Sequence, residues 1–103
     1  MEKGAGGQTS FPLKLVRTEH FGSQFKKLVG EESRLEQAIA RSLTLLLRYP
    51  PPHPSLRMKR VRGTPGVWEC SVNLDIRITF EFGKNNTVIL RNIDHHDKSL
   101  AHP

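Results

Sequence analysis

The chain has 103 residues, 36% of them hydrophobic, and sets 16 Lys and Arg against 10 Asp and Glu, a net charge of +6. A chain of that length builds one domain; it contains no apolar run of about 18 residues that would cross a membrane as a helix. Its single cysteine, Cys70, excludes a disulfide scaffold. Residues 1–10 lack the apolar segment of a secretory signal, so the expected setting is the reducing cytoplasm.

The charge is unevenly placed. Residues 11–50 carry seven basic and four acidic side chains, and residues 51–63 carry Arg57, Lys59, Arg60 and Arg62 with no acid. Residues 64–103 carry four basic against five acidic. A basic cluster in mid-chain points to a polyanionic partner.

In chain order, residues 1–10 are Gly-rich, without apolar periodicity, and are expected to form a disordered arm ahead of one domain over 11–103. Phe11, Leu13 and Leu15 alternate as a short strand, which Pro12 places at a sheet edge. Phe21, Phe25, Leu28 and Val29 then recur with helical spacing, and Gly30 is expected to end that helix. Ser33 and Glu36 have the spacing of a capping box, opening a second helix with the stripe Leu35, Ile39, Leu43, Leu46 and Leu47. That helix stops at Tyr49, before Pro50-Pro51-Pro52.

The rest reads as β-structure. Leu56–Arg62 forms a strand with Leu56 and Met58 inward and Arg57 and Lys59 outward, joined through Gly63–Gly66 to the next. From Trp68 to Phe82 every even position is apolar and every odd one polar. A turn at Asn73-Leu74-Asp75 divides this run into a hairpin in which Trp68 faces Phe80 and Cys70 faces Ile78. On its other face Ser71 lies opposite Arg77. After a turn at Gly83–Asn86, a last strand spans Thr87–Ile93; pairing Phe82 with Val88 sets Arg91 beside Thr79. The expected fold is α+β: a helical hairpin packed on one face of a twisted, mainly antiparallel sheet, in the order β-α-α-β-β-β-β, with the opposite face open and basic.

That order, with the segments HPSLRMKRVRG (53–63), VWECSVNLDIRITFEF (67–82) and VILRNIDHHDKSLAHP (88–103), resembles the RelE/ParE toxin superfamily, in particular its RelE-type branch. The resemblance implies a microbial-RNase-like fold, cleavage of mRNA on the translating ribosome, and neutralisation by an acidic cognate antitoxin; no cofactor or metal is expected, because no recognised ligand spacing occurs. The free toxin is expected to be a monomer that forms a hetero-oligomer with that antitoxin. Lys59 matches the family's basic position before the Gly-containing turn. Arg77 matches the arginine of its Arg-apolar-x-aromatic strand, and His96 with Asp97 matches its Gly-Thr-His-Asp segment. Asp94-His95 stands where that pattern has Gly-Thr. Leu100 stands near the catalytic tyrosine of other members, so no tyrosine carries over.

The expected catalytic set is therefore Arg77, His96 and Lys59, with Arg57, Arg60, Arg62, Arg91 and Asp97 toward RNA. Imidazole moves protons near neutral pH, and guanidinium matches phosphate bidentately. The bland alternatives are a surface histidine in a His-rich tail, an Arg77 paired with Glu69 or Glu81, and a solvated strand at Arg57 and Lys59. His53, His95, His96 and Asp97 share no recognised metal-ligand spacing. Cys70 and Trp68 have inward parity and read as core. Two other functions stay open on the same fold: a ParE-like gyrase inhibitor without catalysis, and an inactive relative that only binds its antitoxin.

Overall fold

The computed structural model describes residues 13–48 and 53–96. The expected arm at 1–10, Phe11 and Pro12, Tyr49 with its prolines, and Asp97 with the tail beyond it lie outside the described residues; the second helix, expected to run to Tyr49, ends earlier, at Leu46 with Leu47 as its C-cap. The elements are β1 (Lys14–Arg17), α1 (Glu19–Glu31), α2 (Arg34–Leu46), a 3-10 turn (Pro54–Leu56), β2 (Lys59–Arg60), β3 (Trp68–Ser71), β4 (Ile76–Phe82) and β5 (Thr87–His95). Five strands make one sheet in the order β1-β5-β4-β3-β2. β1 runs parallel to β5 and every other pairing is antiparallel. The expected α+β order and mainly antiparallel sheet are thus observed.

The helical stripes and the even-numbered strand residues build one core. Phe21 and Leu28 of α1, and Leu35, Ile39 and Leu46 of α2, are buried with Cys70, Ile76, Ile78, Phe80, Val88, Leu90 and Ile93. The β3–β4 hairpin has the predicted register, Trp68 with Phe80, Glu69 with Thr79, Cys70 with Ile78 and Ser71 with Arg77. Asn73 sets its turn, because its Oδ1 accepts the amides of Asp75 at 2.8 Å and Ile76 at 2.7 Å.

Four local expectations are corrected. Helix α1 continues through Gly30 to Glu31, and the amide of Glu32, in an extended conformation, closes it on Leu28 O; Gly30 continues the helix rather than ending it. Ser33 has helical dihedrals and caps nothing with its hydroxyl, so the capping box does not form. Only Glu32 and Ser33 separate the helices, and the amides of Leu35 and Glu36 bond the carbonyls of Glu32 and Ser33, doing the work expected of the hydroxyl. The basic strand shortens to Lys59–Arg60: Pro54 opens a 3-10 turn whose first amide bonds His53 Nδ1, and Arg57 then takes a left-handed conformation with φ 49°. Strand β5 extends two residues past Ile93 and carries a bulge.

That bulge moves Arg91. Phe82 pairs with Val88 as expected, but the register shifts between Thr79 and Phe80, so Thr79 faces Asn92 and Arg91 is the extra residue. A bulge bends its strand and leaves backbone groups unpaired. Helix α1 meets them. The hydroxyl of Thr18, its N-cap, accepts the amide of Phe21 and lies within bonding distance of the carbonyls of Leu90 and Arg91 at 3.1 and 3.3 Å. One turn on, Gln24 Oε1 accepts the amide of Ile93 at 2.9 Å.

Candidate functional site

The odd-numbered positions of β3 and β4, with their partners on β2 and β5, form the sheet face away from the core. It is not the open basic surface expected. Glu69, Ser71, Thr79 and Asn92 on this face are buried. They sit on strands with neighbours on both sides, where a polar residue in an alternating pattern no longer implies solvent. The cations stand at the rim, in three places.

At the turn end of the sheet lie Arg77, Asp75, Asp94, His95 and His96; His95, paired with the inward-facing Ile76, lies on the helix side, where it and Asp94 line a pocket with Gln24, Lys27, Leu28 and Glu31 of α1. Arg77 pairs with Asp94 and Ile76 with His95 across β4 and β5. The Arg77 guanidinium donates to the carbonyls of Asn73 at 2.6 Å and Ile76 at 3.2 Å. A guanidinium has five N–H donors, so these bonds aim the group without exhausting it. His95 Nδ1 donates to Asp75 Oδ2 at 2.6 Å, with the side chains 44% and 64% exposed. The amide of His96 bonds the Asp75 carbonyl at 2.7 Å, joining the end of β5 to the β3–β4 turn. Asp75 therefore holds both histidines, one by its side chain and one by its backbone. The sequence reading favoured His96; the imidazole found on a carboxylate is that of His95. Asp94 Oδ2 accepts from Gln24 Nε2 at 3.4 Å, tying the same end to α1.

Lys59 stands apart. It pairs with Glu69 on β2, the outer edge of the sheet. From the strand spacing and rise, three strands across and four residues along, the Cα atoms of Lys59 and His96 are roughly 20 Å apart. The structure thus divides the expected catalytic trio, leaving Arg77 and His96 at the same end of the sheet and Lys59 at its far edge. Lys59, Arg60, Val61, Arg62 and Glu69 line a cleft of about 410 Å³ along that edge. Arg60 lies over the Trp68 ring at 6.0 Å, within cation–π range. Arg57 is exposed behind its 3-10 turn, outside this cleft.

Arg91 occupies the third place, where it makes an ion pair with Glu81. The predicted position beside Thr79 belongs to Asn92, because of the bulge.

The residue sequence reasoning missed is Glu69. Lys59 Nζ lies 3.6 Å from its Oε1, yet the glutamate is 2% exposed while the lysine is 64% exposed. Glu69 Oε2 is buried with no hydrogen-bond partner. Leaving a buried acceptor unsatisfied costs about 1–3 kcal/mol, more when it is charged. The only sequence signal was an acid set among basic residues once β2 and β3 are paired. Burial holds the neighbouring Cys70 thiol up at about 12 from 9.0, with Glu69 raising it further and Arg77 opposing. Such a thiol is no nucleophile. Among the described residues no group of three His, Cys, Asp or Glu side chains could hold a metal ion, and no helix is long and apolar enough to cross a membrane.

Solved structures with the same arrangement of elements decide the fold. The toxin in the Escherichia coli DinJ-YafQ toxin–antitoxin complex superposes with a TM-score of 0.71 at 12% identity, covering 85% of this chain and 97% of that one. A YoeB/ParE toxin from Agrobacterium tumefaciens gives 0.71 at 16% identity, over 82% and 99% of the two chains. The chain has the RelE/ParE-type toxin fold. The YoeB dimer from Staphylococcus aureus agrees, with a TM-score of 0.70 at 11% identity over 84% of this chain and 99% of that one. No protein-family model and no curated protein sequence matches. The likeness therefore resides in backbone topology, with the RelE/ParE-type fold built from a divergent sequence.

Proposed function

We propose that this protein is the toxin of a toxin–antitoxin pair and acts as a metal-free endoribonuclease on mRNA engaged by the ribosome. The observation that carries this reading is the Asp75–His95 pair at the end of a RelE/ParE-type sheet where Arg77 and His96 also stand, Arg77 one position along β4 from the residue that pairs with His95. Cleavage of RNA by its own 2′-hydroxyl needs a group to accept that proton, a cation for the charged phosphorane, and a donor for the departing 5′-oxygen. In this reading the imidazoles of His95 and His96 exchange the protons, Asp75 fixes the His95 tautomer, and Arg77 faces the phosphate. The products carry a 2′,3′-cyclic phosphate and a 5′-hydroxyl. The YafQ structure solved with DinJ supports an antitoxin as the partner.

Induced expression in bacteria, with growth followed and mRNA 5′ ends mapped, tests this. The wild type is expected to arrest growth and generate new 5′-hydroxyl ends. Arg77→Ala and the double change His95→Gln with His96→Gln each lower cleavage by about a hundredfold or more. Arrest with DNA-damage signalling and no new mRNA ends assigns the fold to gyrase inhibition instead. Undiminished cleavage in both variants overturns the site.

A further inference from the structure

We propose that Gln24 of α1 is a positioning residue for the histidine end of β5: together with Asp94 it closes a hydrogen-bonded circuit that holds His95 where it meets Asp75. β1 pairs with β5 only as far as Leu90, and the chain then turns through Thr18 into α1. Among the described residues, no strand lies beside β5 on that side from Arg91 to His95. Amides two residues apart on a strand point to the same edge, and an edge without a neighbour leaves them to find other acceptors. Here side chains supply them. Ile93 donates to Gln24 Oε1 at 2.9 Å, and His95 donates to Asp94 Oδ1 at 2.8 Å. The two side chains then meet, Gln24 Nε2 donating to Asp94 Oδ2 at 3.4 Å. Gln24, Asp94 and His95 also line one pocket against α1.

The circuit needs the chemistry it has. A glutamine amide accepts through one atom and donates through the other. A carboxylate at position 24 could take the Ile93 amide but would repel Asp94, and a lysine could hold Asp94 but not take the amide. On the opposite flank the strand end is fixed by β4, where Ile76 pairs with His95 and the amide of His96 bonds the Asp75 carbonyl. With Gln24 and Asp94 on the near flank, the backbone of His95 is held from both sides. Its ring and the Asp75 carboxylate are both exposed, so packing alone does not place them, and the fixed backbone brings them to 2.6 Å. Partners behind a functional group commonly set its tautomer and aim, and a displacement of about 1 Å can cost about a hundredfold in rate.

The test exchanges the two ends of the circuit in the full chain. Gln24→Glu sets two carboxylates against each other, and Asp94→Asn sets two amino groups against each other, while the Ile93 and His95 amides keep an acceptor in both. The double change Gln24→Glu with Asp94→Asn restores the match with the bond reversed, at unchanged net charge. Imidazole nitrogen shifts, read by NMR at about pH 8 where histidine is neutral, report the His95 tautomer. The wild type is expected to show Nδ1–H, each single variant a mixture of tautomers, and the double variant Nδ1–H again. A role confined to stability would move the urea midpoint and leave the tautomer unchanged. The cleavage arm rests on the ribonuclease reading above: each single change lowers the rate about tenfold, and the double change recovers it to within about threefold. Asp94→Asn adds no charge and carries the same expectation should Gln24→Glu not fold. An unchanged tautomer in the single variants, or a loss that the double change does not recover, overturns the proposal. A tautomer that shifts and recovers in a protein that cuts no mRNA leaves the role of Gln24 standing and overturns the ribonuclease reading.

Discussion

At the scale of single residues, burial decides which side chains are chemically available. Cys70 lies between Glu69 and Ser71 on an interior strand, fully buried, and its thiol is pushed up from 9.0 to about 12. The folded chain holds it neutral, whereas the unfolded chain releases its proton near pH 9. Its contribution to stability is therefore complete below pH 9 and disappears as pH rises toward 12. Over that window the wild type is expected to lose about 1.4 kcal/mol per pH unit relative to Cys70→Ala. Urea unfolding of both proteins at pH 8, 10 and 11 measures the difference; parallel curves would sink the assignment. Inward parity made Cys70 legible from sequence. Parity said nothing of Glu69, since an outward position on an interior strand can be covered, nor of which adjacent histidine meets Asp75. Arg77 was legible because its position in the hairpin is fixed two residues after the turn. His95 was not, because the choice depends on how far β5 runs past Ile93.

At the scale of elements, the β3–β4 hairpin was readable residue by residue because its alternation has one register that buries every apolar side chain. The bulge in β5 had no such signal. Ile89, Arg91 and Asn92 keep a plausible alternation up to the point where the chain gains a residue, and what sets that point is helix α1. Thr18 caps the helix and meets the bulged carbonyls, while Gln24 takes the amide of Ile93. Thr18→Ala removes the cap and the clasp together, with an expected loss of about 1–2 kcal/mol in urea unfolding. Thr18→Ser, which keeps the hydroxyl, recovers most of it. Equal losses in the two variants would show that the methyl group, not the hydroxyl, carries the effect. The helix ends were misread for a related reason: with only Glu32 and Ser33 between α1 and α2, backbone carbonyls close the turn and leave neither Gly30 nor Ser33 its usual role.

At the scale of the molecule, the net charge of +6 divides between two surfaces. The β2 edge holds the cations around Glu69. The β1 and helical segments hold Lys14, Arg17, Lys26, Lys27, Arg34, Arg41 and Arg48, all exposed. The first group is gathered along one strand edge beside an ion-paired carboxylate, whereas the second is spread over open surface. Seven cations distributed over a strand and two helices suit a long, acidic, initially unfolded segment, which can be drawn in by the field before any contact is specific. The antitoxin proposed as partner would supply that segment. Because the attraction acts at distance, it should appear in the association rate rather than in the lifetime of the complex. Raising salt from about 0.05 to 0.5 M shortens the screening length from above 10 Å to a few Å. The association rate of an acidic antitoxin peptide is therefore expected to fall by about tenfold or more, with dissociation changing far less. Stopped-flow mixing across that range reads both rates. Reversing charge at Lys26, Lys27 and Arg34 should flatten the salt dependence, while the same change at Arg60 and Arg62 leaves it steep. If the β2 variant flattens it instead, the antitoxin approaches over the β2 edge rather than over the helices.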